Sequence, residues 1–168
     1  MRAVLVLAMI LGAGMASAGE RFSNIDGGVI DLADFAGKPV LVVNTASQCG
    51  FTPQYDGLQA LHDTYRDRVV VLAVPSDDFQ QELASGAEVA EFCEVNFKLT
   101  LPMTDITRVT GPEAHPFYAR VKAETGFEPA WNFNKVLIDG EGRVAGTWGS
   151  GVKPQSGQIV GAIEALLN

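Results

Sequence analysis

The chain has 168 residues, 47% of them hydrophobic, and its 20 Asp and Glu outweigh 12 Lys and Arg to give a formal charge of −8. That excess of acid argues against a nucleic acid partner or an anionic lipid surface, since both are held by clustered cations. With two histidines and no CxxC pair, metal-ligand spacing is absent, and neither a metal nor another cofactor is expected.

Residues 1–18 read as an export signal. Arg2 supplies the positive end, residues 4–11 form the apolar core, and Ala16-Ser17-Ala18 is a small-residue cleavage site. The apolar stretch is too short for a stable membrane span. Cleavage leaves a single domain at residues 19–168, 150 residues carrying 11 Lys and Arg against 20 Asp and Glu, a formal charge of −9. The product is expected in the periplasm or outside the cell, and its length suffices for an ordinary core.

Residues 29–35 open the domain, and Gly37-Lys38 turns into the apolar run of residues 39–44, the pattern of an interior strand. Pro39 stands at the first position of that strand, where a missing N–H is tolerated. Pro53 starts a helix over residues 53–67, with Tyr55, Leu58, Leu61, His62 and Tyr65 at helical spacing. A second strand follows over residues 69–74 and stops at Pro75. After a turn-rich stretch to Gly86, a second helix spans residues 87–95 with Val89, Phe92 and Cys93 on one face. Residues 99–107 show no clear period, and residues 115–122 suit a short helix. Strands at residues 134–138 and 143–147 flank Asp139-Gly140-Glu141-Gly142, a hairpin signal. A last helix spans residues 155–167 with Ile159, Ile163, Leu166 and Leu167 inward. The order strand, helix, strand, helix, strand, strand, helix resembles an α/β thioredoxin-like fold, a central mixed sheet flanked by helices.

Cys49 follows the first interior strand and precedes a helix. Free N–H groups and the positive end of the helix dipole there favour a thiolate, and the neighbours Ser47, Gln48 and Gly50 suit a loop tip. The second cysteine, Cys93, lies 44 positions on. In an exported protein such a pair also has a plain reading as a structural disulfide closing a large loop. Gln81 sits in the turn after the second strand, and turns at the carboxyl ends of parallel strands gather at one edge. Trp131 and Asn132 offer an indole N–H and an amide to developing negative charge.

The segment NTASQCGFTPQY, with DDFQQE at residues 77–82, EFC at 91–93 and WNFNKVLID at 131–139, resembles the glutathione peroxidase family over essentially the whole mature chain. The resemblance implies that Cys49 is the peroxidatic cysteine and that Gln81, Trp131 and Asn132 complete a catalytic tetrad. It further implies that Cys93 is the resolving cysteine of the non-animal, thioredoxin-using branch, reached after its helix loosens. Peroxide attack would give a Cys49 sulfenic acid, a Cys49–Cys93 disulfide would follow, and a thioredoxin-like protein or glutathione would restore both thiols. A compact monomer is implied by the short connection between Phe117 and Trp131. Ser76-Asp77-Asp78-Phe79 stands where the family commonly has Cys-Asn-Gln-Phe, and the loop is one residue shorter, which leaves Gln80 as the alternative to Gln81. The two aspartates are expected to face solvent. A different class of function, a redox relay passing oxidation to a client protein, would use the same two sulfurs.

Overall fold

The structure is a computed structural model and describes residues 20–168; the export segment expected at residues 1–18 lies outside them. Strand β1 (Arg21–Ser23) pairs antiparallel with β2 (Val29–Asp31). The main sheet holds β3 (Val40–Thr45), β4 (Val70–Pro75), β5 (Lys135–Ile138) and β6 (Val144–Trp148), in the order β4-β3-β5-β6. Strand β3 runs parallel to β4, from Val40 opposite Val70 to Thr45 opposite Pro75, and antiparallel to β5, from Val40 opposite Ile138 to Val43 opposite Lys135. Helices α1 (Gln54–Tyr65), α2 (Gly86–Phe97), α3 (Pro116–Thr125) and α4 (Gly157–Leu167) complete the chain. This is a thioredoxin-like α/β fold.

Every residue of β3 is buried, as its unbroken apolar run requires of a strand covered on both faces. Alternate side chains divide the core. Leu41 and Val43 point into a cluster with Tyr55 and Leu58 of α1, Val89 and Cys93 of α2, and Ile159 and Ile163 of α4. Val40 and Val42 point the other way, against Phe117 and Val121 of α3 and Phe22 and Ile30 of the small hairpin. Among the described residues no helix is long and apolar enough to cross a membrane.

The expected strand, helix and hairpin order holds, with local differences. The domain opens with the β1–β2 hairpin, whose three-residue strands are too short to show alternation; Gly27 and Gly28 turn it at φ 92° and 84°. Residues 32–35 are a 3-10 turn capped by Asp31, which accepts from Ala33 N. Residues 99–107 carry no period because they make a single bridge to the edge of β4: Ala73 N donates to Pro102 O and Thr104 N to Ala73 O. Helix α2 runs two residues further than its pattern, to Phe97, with Ser85 accepting from Glu88 N at its start and Lys98 left-handed at its end.

Candidate active site

Cys49 lies in the turn between β3 and α1, where the sheet ends and a helix begins. The turn is braced from within. Thr52 Oγ1 accepts from Cys49 N at 3.0 Å and donates to Ala46 O at 2.8 Å. These bonds leave Cys49 only 8% exposed. Its Sγ accepts a hydrogen bond from Phe51 N at 3.4 Å, so a backbone dipole already faces the position where thiolate charge would form. Beside the turn opens a groove of about 740 Å³, lined by Gly50, Phe51, Gln54, Val152 and Pro154 among others.

The loop after β4 is fastened to this turn by two bonds. Gln48 N donates to Gln81 O at 2.9 Å, and Ser47 N to Glu82 Oε1 at 3.0 Å. Glu82 Oε1 also accepts from Leu83 N, while its Oε2 is buried with no hydrogen-bond partner among the described residues. Burial raises the Glu82 pKa against the hydrogen bonds that lower it. The Gln81 side chain accepts from Asn132 Nδ2 at 2.9 Å. Gln80, exposed and at φ 57°, makes no side-chain hydrogen bond among those formed by the described residues, so Gln81 is the glutamine that meets Asn132.

The third segment precedes β5. Phe133 has φ 59°, a conformation an aromatic residue adopts only when its surroundings impose it. Asn44 of β3 imposes it: Phe133 N donates to Asn44 O, Asn134 N to Asn44 Oδ1, and Asn44 Nδ2 to Trp131 O. Asn132 is thereby fully buried with its amide toward Gln81. Trp131 is 40% exposed and packs on Phe79 with ring centroids 5.4 Å apart. Gln81 and Asn132 are therefore in direct contact, and the Gln81 backbone is joined to the Cys49 turn; among the described residues Phe51 N is the hydrogen-bond donor that reaches the sulfur itself.

Of the two added aspartates, Asp77 is exposed and Asp78 is not. The Asp78 side chain is 8% exposed, because its carboxylate caps Val109 N at 2.6 Å and Thr110 N at 3.0 Å. The expectation that both face solvent is corrected at Asp78, whose carboxylate is met by the Val109 and Thr110 N–H groups and, at 3.7 Å, by Arg108.

Cys93 is 2% exposed on the inner face of α2, and both cysteines are free thiols. Burial pushes the Cys93 pKa up to about 11, with Glu82 raising it further and the Tyr55 hydroxyl opposing. An inert thiol in the closed helix is the consequence. A second groove of about 740 Å³ passes Cys93 between α2 and the segment holding Leu101 and Met103.

Thr52, Glu82, Asn44, Ser150, Gln54 and Lys135 escaped the sequence reading. Lys135 left a visible signal, a lysine in an otherwise apolar strand. Its neighbours Val136, Leu137 and Ile138 are all buried, and so is Lys135.

Residues 20–122 match the family model described as Glutathione peroxidase. The chain is 43% identical over 155 residues to the hydroperoxy fatty acid reductase of Synechocystis sp., covering 85% of this chain and 90% of that protein. It is 41% identical over 148 residues to a glutathione peroxidase-like peroxiredoxin of Schizosaccharomyces pombe, covering 84% and 92%. The solved structure of Trgpx in apo form superposes with a TM-score of 0.66 at 35% identity, over 86% of this chain and 93% of that one. A cysteine at the β3–α1 turn of a thioredoxin-like sheet, with these relatives along most of its length, places the chain in the glutathione peroxidase family as a thiol peroxidase.

Proposed function

We propose that the protein reduces hydrogen peroxide and organic hydroperoxides through a Cys49 sulfenic acid and a Cys49–Cys93 disulfide, recycled by a thioredoxin-like dithiol protein. The observation that carries this reading is the buried Cys49 sulfur under a backbone N–H, on a turn joined to the Gln81–Asn132 pair. The thiolate attacks one peroxide oxygen as the O–O bond breaks. Cys49 is oxidised, and the departing oxygen leaves as water or an alcohol after taking a proton. Gln81, Trp131 and Asn132 are the tetrad partners in this reading, polarising the peroxide through hydrogen bonds. Cys93 sulfur then bonds to Cys49 sulfur, the S–O bond breaks, and the thiol proton leaves with the oxygen as a second water. A dithiol partner reduces the disulfide by exchange. The name of the Synechocystis relative supports hydroperoxy fatty acids among the substrates. Export to the periplasm and action as a monomer complete the proposal.

The test is peroxide consumption by the mature protein with thioredoxin or with glutathione under matched conditions. Cys49→Ser should abolish consumption, and Cys93→Ser should keep the first turnover but lose recycling by thioredoxin. Unchanged consumption in Cys49→Ser would sink the mechanism. Accumulation of a mixed disulfide with one client protein, without peroxide turnover, would favour the relay instead.

A further inference from the structure

Lys135 is fully buried, and among the described residues its ammonium group faces no carboxylate. Unpaired buried cations are costly and mark sites where the charge is used. The Nζ donates to Gln54 Oε1 at 2.6 Å and to Ser150 O at 3.3 Å. Both acceptors belong to the site. Gln54 begins α1, its Nε2 donates to Ser150 O at 2.7 Å, and its backbone N donates to Phe51 O; Phe51 N in turn donates to Cys49 Sγ. On the other side, Ser150 Oγ donates to Asn132 O at 2.6 Å and accepts from Asn134 Nδ2 at 3.0 Å. Asn132 then reaches Gln81, and Gln81 O takes Gln48 N, next to Cys49. The bonds close a ring through all three site segments, and Lys135 holds the junction opposite the sulfur.

We propose that Lys135 is a positioning residue of the peroxidatic site, tying the Cys49 turn to the Trp131–Asn132 segment through Gln54 and Ser150 and supplying the positive charge against which the Cys49 thiolate forms. This rests on Cys49 being the attacking sulfur. The groups that meet the ammonium are neutral, Gln54 from α1 and Ser150 from the segment after β6, and the residues opposite Lys135 in the sheet, Val43 on β3 and Trp148 on β6, carry no charge. Asp56 in the first turn of α1 and Lys153 on the groove are exposed, where water screens them, and the buried carboxylate at the Cys49 turn, Glu82, is held by Ser47 N and Leu83 N. Burial pushes the Lys135 pKa down to about 8, so the group remains mainly charged at neutral pH. A fixed cation in a closed site acts over longer distances than one in water.

Three variants in a Cys93→Ser background separate charge from scaffold. Lys135→Met removes the ammonium. Gln54→Glu keeps an acceptor for Nζ and places a negative charge against it while losing the Nε2 bond to Ser150 O, with Gln54→Met, which loses both bonds and adds no charge, as the scaffold control. Iodoacetamide alkylation of Cys49 is followed against pH, with single-turnover peroxide reduction alongside. Lys135→Met and Gln54→Glu should both move the alkylation profile to higher pH and slow alkylation at pH 7 on the order of ten-fold. A profile for Gln54→Glu that superimposes on the parent or on Gln54→Met overturns the proposal, whether or not Lys135→Met folds. Peroxide consumption surviving Cys49→Ser would overturn the assignment of Cys49 instead, and the alkylation profile would still report on Lys135.

Discussion

Replacing Lys135 with methionine should change the shape of the stability curve against pH, because burial moves this lysine from 10.5 to about 8 in the folded protein. Below pH 8 the amine is protonated in both states, and above about pH 10.5 it is neutral in both. Between those limits the unfolded chain binds a proton that the folded chain does not, so stability rises with pH. The shift amounts to on the order of 3 kcal/mol across the window, at about 1.4 kcal/mol per unit. Cys93 works in the opposite sense. Its pKa is raised from 9.0 to about 11, so its contribution is lost as pH rises through that range, but equally in parent and variant. Methionine preserves most of the volume of the buried stem. Urea titrations of parent and Lys135→Met under reductant, from pH 7 to 10.5, give the difference directly. The parent should gain on the variant by a few kcal/mol over the window, most steeply between pH 8 and 10. Parallel curves would refute the buried, unpaired ammonium as the origin of the effect.

Glu82→Ala strips the acceptor from Ser47 N and Leu83 N and should cost about 2–4 kcal/mol in urea unfolding, while Glu82→Gln should retain most of that stability; equal losses would remove Glu82 as the strut between the two loops. The raised Glu82 pKa also makes the parent lose stability as pH rises from about 4.5, and Glu82→Gln should flatten that slope. Ser85→Ala deletes the cap of α2, about 1 kcal/mol, and should speed Cys49–Cys93 disulfide formation after one equivalent of peroxide several-fold, because opening α2 becomes easier; a slower rate in stopped-flow fluorescence would contradict this. At pH 8 the Cys93 thiolate fraction is about a thousandth given its pKa of about 11, so brief iodoacetamide treatment of the reduced protein followed by peptide mass analysis should find the label on Cys49 and spare Cys93. Equal labelling would mean that α2 is open in the resting protein.

The interior strand, α1, the β5–β6 hairpin and α4 were legible because each carries a clear period or turn signal. The proximity of Gln81 and Asn132 was legible only through the family resemblance, since 51 positions separate them and no periodicity spans that gap. The β1–β2 hairpin and the bridge of Met103 to Ala73 were hidden for a different reason: one or two backbone bonds leave no pattern of side chains. Asp78 misled because an aspartate in a polar loop is ordinarily solvated, whereas here two backbone N–H groups, Val109 and Thr110, draw it inward. The support of the site was the least visible part. Thr52, Glu82, Ser150 and Lys135 act through hydrogen bonds to backbone atoms or to one another, and such partners are set by tertiary folding alone.

The burial of Cys93 on α2 bears on survival under stress. In the proposed cycle, once Cys49 carries a sulfenic acid, two events compete for it: a second peroxide, which leads to irreversible oxidation, and the opening of α2 that would deliver Cys93. The first rises in proportion to peroxide and the second does not. On that cycle the local stability of one twelve-residue helix would set the peroxide dose above which the enzyme consumes itself, so that Ser85 and Lys98, at the two ends of the helix, would tune tolerance without altering the chemistry of a single turnover.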